Sequence, residues 1–484
     1  MGAIARFFRL DENGTTAATE VRAGVVTFMT MAYIIVVQPM VLAGAGMPLG
    51  GVMLATCLSS AFATLTMAVL ANYPIALAPA MGHNFYFTFL VTSGVAPSWQ
   101  VALGANFISG VLFVVLSLFG FRERIINAVP DSLKYAIAVG IGLLIALVGL
   151  KSAGFVVENP DATGLTLGHF GKPAVLAAIG LAMSGALIAL RVRGAVLIGL
   201  VATAVVGMVM GLVEPVSSPV SAPPWGELRK TALGLDIAGA FKLGFLGVIF
   251  TFFFLDLFDT VGTLIGISQQ AGFMVNGQIP RAREALFSDA AGTVAGTLLG
   301  TSTVTSYIES AAGVSEGGRT GLANVVTALL FVLAIFFYPC VQMVAGGVLV
   351  DQRLGFQRVQ GSWEAARKGG GAKEETKLTA PEGAELVVRR KVALSPVTAP
   401  TLILIGCFII ACVARIPWGD WTEAVPAFLA MVMMPMTSNI TEGIAFGFIS
   451  YTFLKLVTGR VREVSPWVAV FAVLFMVRYA YLTP

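Results

Sequence analysis

The chain has 484 residues, of which 57% are hydrophobic and only 12% are charged, and its mean hydropathy is +0.87. A water-soluble protein of this length needs more charge to cover its surface, so the composition indicates a polytopic membrane protein. The net charge of +4 requires no nucleic-acid partner. His83 and His169 are the only histidines, which excludes an HExxH metal site, and the four cysteines show no metal-ligand spacing. We therefore expect no bound metal and no organic cofactor.

Apolar runs long enough to cross a bilayer, which takes about 20 residues, recur along the chain. The long runs lie at residues 21–44, 52–71, 100–120, 132–150, 173–190, 195–213, 240–267, 321–346, 397–414 and 440–458. Shorter or interrupted runs lie at residues 74–93, 284–300, 301–316 and 423–437. Together they predict an all-α protein with fourteen spans, numbered 1 to 14 in chain order. A further stretch, 466–481, is either interfacial or a fifteenth span, and we favour the interfacial interpretation.

Lys and Arg residues are distributed unevenly between the two ends of these spans. When the N-terminus is placed in the cytoplasm, most basic residues of the short loops fall on the inside, as the positive-inside rule expects. This orientation puts residues 351–396 outside, and the stretch GSWEAARKGGGAKEETK within them is typical of a solvated insertion. We therefore predict a multi-pass protein of the plasma (inner) membrane with a cytoplasmic N-terminus.

The chain also repeats itself. Residues 103–119 align without gaps to residues 321–337, and the alignment includes the identical pair Asn106 and Asn324. Residues 25–46 likewise resemble residues 248–272. The first match relates spans 4 and 11, and the second relates spans 1 and 8. Both are shifts of seven, and an odd number of spans per repeat forces opposite orientations. The sequence therefore predicts a 7+7 inverted repeat, in which transporters place their site near the middle of the membrane.

Spans 3 and 10, which correspond under the same shift, are the most interrupted. Span 3 contains Pro74, Pro79 and Gly82, which disfavour a continuous helix. Span 10 begins with a run rich in Thr and Ser, and its second half could start a half-helix near Ser306. Paired broken helices are typical of a transporter binding site, although ordinary kinked helices would give a similar pattern.

Three carboxylates interrupt the predicted spans. Asp256 and Asp259 in span 8 are three residues apart and so lie near one helix face, and Glu309 lies in span 10. A charge at the centre of a bilayer costs about 3 kcal/mol or more, so carboxyl groups there usually serve a ligand or a proton pathway. We expect all three to carry protons or bind substrate. The alternatives are that Asp256 only orients the site through a hydrogen bond and that Glu309 only caps the half-helix.

Polar and aromatic side chains follow the break in span 3. Asn84 offers a donor and an acceptor together, which suits the edge of a heterocyclic base, although it could instead cap the following half-helix. Phe85 or Tyr86 could stack on a planar ring, whereas packing is the more common role of such a run. His83 could titrate or could be a satisfied structural group.

The motifs in these spans resemble a known family. They are ALAPAMGHNFYFTF, LDLFDTVGTLIG and GTSTVTSYIESAAGV followed by GGRTG. They resemble the AzgA-like purine permeases of the nucleobase–ascorbate transporter superfamily, over nearly the whole chain except residues 351–396. The resemblance implies proton-coupled uptake of adenine, guanine and hypoxanthine by an elevator-type motion, in a lipid-embedded homodimer driven by the proton gradient.

The resemblance also implies roles for individual residues. Glu309 and Asp259 match the base-binding acids of the family, Asp256 matches a second acid of span 8, and Asn84 matches the asparagine of span 3. Thr263 falls where relatives outside this branch carry a polar or titratable side chain.

The same resemblance implies a division into domains. A core domain comprises residues 1–120 (spans 1–4) and 239–346 (spans 8–11). A gate domain comprises residues 121–238 (spans 5–7) and 397–484 (spans 12–14 with the last apolar segment). The polar insertion takes residues 347–396. Around the presumed pocket, Ala80, His83 and Phe85 stand where the family pattern has Gly, an apolar residue and Ala.

Other functions fit parts of this pattern. The same fold could carry xanthine, uracil or an anion, although an anion site favours a cation over the acids found here. An intramembrane metalloprotease lacks its histidines, and an aspartyl protease of the GxGD type lacks that motif. A channel would not need paired titratable acids. We therefore predict a transporter and not an enzyme.

Overall fold

The computed structural model describes residues 2–118, 129–159, 164–242, 248–274, 279–345, 348–359, 362–366, 385–392 and 396–481. Within them the α-helices are α1 (Gly2–Phe7), α2 (Ala17–Met31), α3 (Ile34–Ala43), α4 (Leu49–Leu70), α5 (Met81–Thr92), α6 (Trp99–Leu118), α7 (Asp131–Ala153), α8 (Lys172–Ala189), α9 (Ala195–Val209), α10 (Trp225–Thr231), α11 (Ile237–Lys242), α12 (Phe250–Ala271), α13 (Ala282–Leu299), α14 (Ser310–Ser315), α15 (Gly321–Ala334), α16 (Tyr338–Ala345), α17 (Ala399–Ile410), α18 (Trp421–Thr437), α19 (Ile440–Val457) and α20 (Pro466–Tyr481). The strands are β1 (Leu77–Pro79), β2 (Val156–Glu158), β3 (Leu165–Leu167), β4 (Val304–Ser306), β5 (Val348–Val359), β6 (Ser362–Ala366) and β7 (Glu385–Val392).

Seven helical stretches in the described part of the chain are long and apolar enough to cross a membrane. They are Ala17–Ala43, Leu49–Leu70, Trp99–Ser117, Asp131–Ala153, Lys172–Ala189, Gly321–Ala345 and Ile440–Val457. Shorter apolar helices cover Ala195–Val209, Ala399–Arg415 and Pro466–Ala480. These segments confirm a largely α-helical, multi-pass membrane protein.

Both interrupted spans form a short strand followed by a helix. In the span-3 region β1 precedes α5, and in the span-10 region β4 precedes α14. The two strands pair antiparallel with Leu77 opposite Ser306 and Pro79 opposite Val304. The strand pairing satisfies backbone groups that a broken helix would leave exposed. The half-helix predicted from about Ser306 begins instead at Ser310, because residues up to Ser306 belong to the strand.

The helices pack in two groups. In the first group α4 contacts α13 and α15, α6 contacts α13, and α2 contacts α14 and α15. In the second group α7 contacts α17 and α18, α18 contacts α19, and α8 contacts α9 and α17. The two strand–helix units belong to the first group, so the broken segments lie among helices from both halves of the chain.

The GGRTG stretch lies at the start of α15, where helix N–H groups need acceptors. The buried carboxylate of Glu20 accepts the backbone N–H groups of Arg319, Thr320 and Ala323 at 2.8, 3.3 and 3.3 Å. A carboxylate at this end also complements the helix dipole. At Gly321 a Cβ atom would stand 2.3 Å from the carbonyl oxygen of Ala68, so only glycine permits this approach of α15 to α4. The motif therefore anchors the start of α15 to α2 and α4.

One region in the C-terminal half differs from a purely helical interpretation. Between residues 348 and 392 the described backbone forms a three-stranded antiparallel sheet in the order β6-β5-β7, which the sequence does not predict. The stretch 466–481, by contrast, forms helix α20. Its Phe471 ring lies 4.8 Å from Phe254 of α12 and 5.9 Å from Phe448 of α19. The last helix thus packs against other helices of the bundle.

A cluster of charged side chains lies at the C-terminal end of α19. The buried Lys455 ammonium lies 2.7 Å from carboxylate oxygens of Glu423 and Glu463. Arg460 pairs with Glu463 and with Asp420, each at 2.7 Å. The two cations lower the pKa of Glu463 to about 2. These pairs hold the start of α18 against the end of α19.

Candidate functional site

Two threonine side chains anchor the strands of the broken spans. The Thr64 hydroxyl of α4 accepts the N–H of Leu77 at 3.0 Å and donates to its carbonyl at 3.1 Å. The Thr293 hydroxyl of α13 accepts the N–H of Val304 at 3.2 Å and donates to its carbonyl at 2.9 Å. A hydroxyl can do both because it carries a donor and acceptor lone pairs. Each strand is thus held at its first residue by the same chemistry.

The two asparagines that the sequence alignment pairs also hold these segments. Asn324 of α15 donates to the carbonyl of Ile75, two residues before β1, at 2.7 Å. Asn106 of α6 accepts from the hydroxyl of Thr303, one residue before β4, at 2.6 Å. The aligned residues therefore occupy corresponding positions in the structure.

Glu309 immediately precedes α14 and takes the N-cap position. The hydroxyl of Tyr33 donates to its Oε1 at 2.5 Å, and the hydroxyl of Thr30 donates to its backbone carbonyl at 3.3 Å. No side-chain capping bond from Glu309 to α14 is present among the described residues. The carboxylate is therefore held by a side chain of another helix, which disfavours the interpretation of Glu309 as a simple cap.

A cavity of about 640 Å³ reaches Glu309 from between the two groups of helices. One wall includes Thr30, Tyr33 and Glu309 from the first group. The opposite wall includes Arg191 and neighbouring residues from the connection between α8 and α9, together with Ile405 of α17. Its volume lies within the range of small-molecule sites. Of the residues predicted to bind substrate, only Glu309 lines this cavity.

Asp259 lies beside the same site on α12. The hydroxyl of Thr305 in β4 donates to its Oδ2 at 3.4 Å. Its carboxyl group also interacts electrostatically with Glu309 and with Asp289 of α13. Asp259 of span 8 and Glu309 of span 10 therefore lie close enough to interact electrostatically.

Asp256 is buried one turn earlier on α12, where a hydroxyl joins it to another acid. The Thr260 hydroxyl lies 3.3 Å from Oδ1 of Asp256 and 2.7 Å from Oδ2 of Asp289. Asp289 also accepts the N–H of Ser306 in β4 at 3.0 Å. Because one hydroxyl hydrogen can serve only one of the two carboxylates well, the shorter bond, to Asp289, is the stronger of the two.

Asn84 lies in the first turn of α5, fully buried. Its amide nitrogen donates to Oε1 of Gln38 on α3. The Gln38 amide in turn donates to the hydroxyls of Thr301 at 2.9 Å and Ser302 at 2.8 Å. Oδ1 of Asn84 has no hydrogen-bond partner within the described part of the chain. Asn84 is therefore connected through Gln38 to the residues before β4, and its Oδ1 atom remains as an acceptor without a partner among the described residues.

The neighbours of Asn84 face other helices. The Tyr86 ring meets Phe252 of α12 edge to face, with centroids 5.0 Å apart. His83 is buried beside the backbone of the same Phe252. Phe85 is half-buried and packs against the main apolar core. In this structure these three side chains pack against the protein.

Gly82 and Thr263, two further residues of the sequence-based prediction, are packed inside the protein. A Cβ atom at Gly82 would lie 3.1 Å from Cγ2 of Ile141, so this glycine lets α5 approach α7 of the second group. Thr263 is buried one turn after Asp259 on α12. Neither residue lines the cavity beside Glu309.

Three residues of this site are absent from the sequence-based prediction. Asp289 is an acid inside the apolar run 284–300, and the criterion that selected Asp256 applies to it equally. Tyr33 and Gln38 carry no such signal, because a single Tyr or Gln in an apolar span is unremarkable. No group of three His, Cys, Asp or Glu residues suited to a metal ion occurs among the residues that the structure describes.

The chain is similar to known proteins over nearly its whole length. A family model described as "Permease family" matches residues 18–350. The chain is 41% identical over 483 residues to the adenine permease AdeP of Escherichia coli K12, covering 99% of this chain and 97% of that protein. It is 40% identical over 487 residues to the guanine/hypoxanthine permease PbuG of Bacillus subtilis 168, covering 98% of this chain and 99% of that protein.

Solved structures share the fold at low sequence identity. The transmembrane domain of the cyanobacterial bicarbonate transporter BicA superposes with a TM-score of 0.57 at 11% identity, covering 89% of this chain and 97% of that domain. At this identity the likeness concerns the fold alone. The curated relatives are named permeases, which makes this chain a transporter and not an enzyme. The chain therefore belongs to the permease family of nucleobase–ascorbate transporters, as its motifs predict.

Proposed function

We propose that this protein takes up purine nucleobases, namely adenine, guanine and hypoxanthine, together with protons. The observation that carries the proposal is the Glu309 carboxylate at the end of a cavity, with Asp259 beside it, in a chain 41% identical to an adenine permease. A purine presents ring N–H donors, and a carboxylate held by one hydroxyl keeps acceptor capacity for them.

Proton coupling is supported by the cluster of acids. Asp256, Asp259, Asp289 and Glu309 are connected through hydroxyl donors, a backbone N–H and mutual electrostatic interactions. Carboxyl groups that lie close together at membrane depth favour binding of protons, because like charges there repel strongly. Each proton that this cluster takes up would lower by one unit the negative charge that moves with an uncharged base.

An elevator-type motion is supported by the division of the helices into two groups. The cavity lies between them, and the substrate-facing acids belong to one group. We propose that the first group is a moving core and the second a gate, in fourteen spans arranged as a 7+7 inverted repeat. The matched bonds of Thr64 and Thr293 support the repeat. We also propose that the protein forms a homodimer in the plasma membrane, with its N-terminus in the cytoplasm.

The test is uptake of radiolabelled adenine, guanine, hypoxanthine, xanthine and uracil into proteoliposomes containing the purified protein. We expect accumulation of the first three bases when the outside is more acidic than the inside, and collapse of that accumulation with a protonophore. Empty liposomes and liposomes with equal pH on both sides are the controls. Accumulation that depends on sodium and ignores the pH gradient would refute proton coupling. Uptake of xanthine or uracil alone would refute the assignment of substrates.

A further inference from the structure

Tyr33 lies at the point where the first predicted span is interrupted. Helix α2 ends at Met31 and α3 begins at Ile34, so Tyr33 occupies the junction between them. Its side chain is only 2% exposed, yet it borders the cavity beside Glu309. A buried phenol needs a hydrogen-bond partner, and the partner here is Oε1 of Glu309 at 2.5 Å.

This bond has two consequences for the carboxylate. An O–H···O⁻ bond of this length is among the stronger hydrogen bonds in proteins, so it fixes the rotation of the Glu309 side chain. It also occupies Oε1, which leaves Oε2 as the freer acceptor for a ligand. The neighbouring bond from Thr30 to the Glu309 carbonyl fixes the backbone from the same helix segment. Thr30 and Tyr33 of the first span thus hold the backbone and the side chain of Glu309, the residue immediately before α14.

We propose that Tyr33 is a positioning residue of the substrate site, which sets the orientation of Glu309 and presents one of its oxygens to the base. The proposal rests on Glu309 binding substrate, as argued above. It gives the first span a direct role in orienting the carboxylate that binds substrate. Tyr33 acts through Glu309, so its contribution to affinity disappears when the carboxylate is absent.

Tyr307 provides a matched control. It is also buried, at 5% exposed, and its hydroxyl also donates a 2.5 Å hydrogen bond. Its acceptor, however, is the backbone carbonyl of Pro79 and not a carboxylate. Replacing either tyrosine by phenylalanine removes one hydroxyl and one buried hydrogen bond, and only the change at Tyr33 removes a hydrogen bond to Glu309.

The experiment measures binding of [³H]adenine and [³H]hypoxanthine to purified wild type, Tyr33→Phe, Tyr307→Phe, Glu309→Gln and the double variant Tyr33→Phe/Glu309→Gln. We expect Tyr33→Phe to raise Kd by roughly 5- to 30-fold and Tyr307→Phe by less than about 3-fold. The double variant should bind within about 2-fold of Glu309→Gln alone, because the two residues act as one unit. In transport, Tyr33→Phe should raise KM and leave the maximal rate within about 2-fold.

Several outcomes would overturn the proposal. Fully additive losses in the double variant would show that Tyr33 acts independently of Glu309. Equal losses in Tyr33→Phe and Tyr307→Phe would show a general packing effect. Failure of wild type to bind any purine would refute the proposed function itself, whereas binding by wild type with an unchanged Kd in Tyr33→Phe would refute only the role of Tyr33. Elution as a single symmetric peak in size-exclusion chromatography shows that each variant is folded.

Discussion

The two strand–helix units share a scaffold and differ in chemistry. In each unit a threonine of a neighbouring helix binds the first strand residue through both its N–H and its carbonyl, Thr64 for β1 and Thr293 for β4. In the first unit Asn324 donates to the carbonyl of Ile75, two residues before β1. In the second unit Asn106 accepts from the hydroxyl of Thr303, one residue before β4. The strands then pair with each other. The backbone support is therefore repeated.

The side chains at the start of the two helices are not repeated. Helix α5 places the neutral amide of Asn84 in its first turn, and helix α14 follows the carboxylate of Glu309. An amide can donate and accept, whereas a carboxylate only accepts and carries charge. Two units with similar backbone support thus carry different polar groups at the start of their helices, a neutral amide in one and a carboxylate in the other.

The largest effect expected from this difference is at Glu309. Glu309→Gln should weaken purine binding by about 10- to 100-fold, because a hydrogen bond to a charged group contributes roughly 1.5–3 kcal/mol. The matched change Asn84→Ala should cost about 2- to 10-fold, as expected for a neutral hydrogen bond. Binding of radiolabelled adenine to the purified variants measures both. Equal losses at the two positions would remove the functional distinction between the units.

An intermediate effect, measured as a loss of thermal stability, is expected at Asn324 and Asn106, the two asparagines that the sequence alignment pairs. Asn324→Ala leaves the buried carbonyl of Ile75 without its donor, which costs about 1–3 kcal/mol. Asn106→Ala leaves only the hydroxyl of Thr303 without its acceptor. Because that hydroxyl can rotate to another acceptor, we expect the smaller loss of stability there. Thermal unfolding in detergent, compared with wild type in the same preparation, ranks the two. A larger loss for Asn106→Ala would contradict this account of how the scaffold is held.

The smallest difference between the two units is expected at the threonines, where the units are most alike. Thr64→Val and Thr293→Val each remove a hydroxyl that makes two backbone hydrogen bonds, and each should lower stability by about 1–2 kcal/mol. Because the geometry is the same in both units, the two losses should agree within about 0.5 kcal/mol. Thr66→Val serves as the control, since the exposed Thr66 hydroxyl bonds only to its own helix at Phe62. Markedly unequal losses would show that the two strands are not equivalently supported.

Much of this organisation is determined by residue type and local order, and so it could be predicted. Pro74 and Pro79 interrupt a helix because proline lacks an N–H and disfavours the helical conformation of the residue before it. Asp256, Asp259 and Glu309 are identifiable because a carboxylate in an apolar run is costly unless it has a function. The family motifs and the aligned Asn106 and Asn324 follow from the sequence in the same way.

Only the tertiary structure decided which of these groups meet. Tyr33 and Glu309 are 276 residues apart in the chain, and Gln38 and Thr301 are 263 apart. Nothing in the local pattern around Tyr33 or Gln38 distinguishes them from packing residues, because their roles depend on the partner and not on their neighbours. The start of α14 at Ser310 was likewise decided by the pairing of β4 with β1, which withdraws residues 304–306 from the helix. Periodicity and residue type act over a few positions, whereas hydrogen bonds between distant segments exist only once the chain has packed.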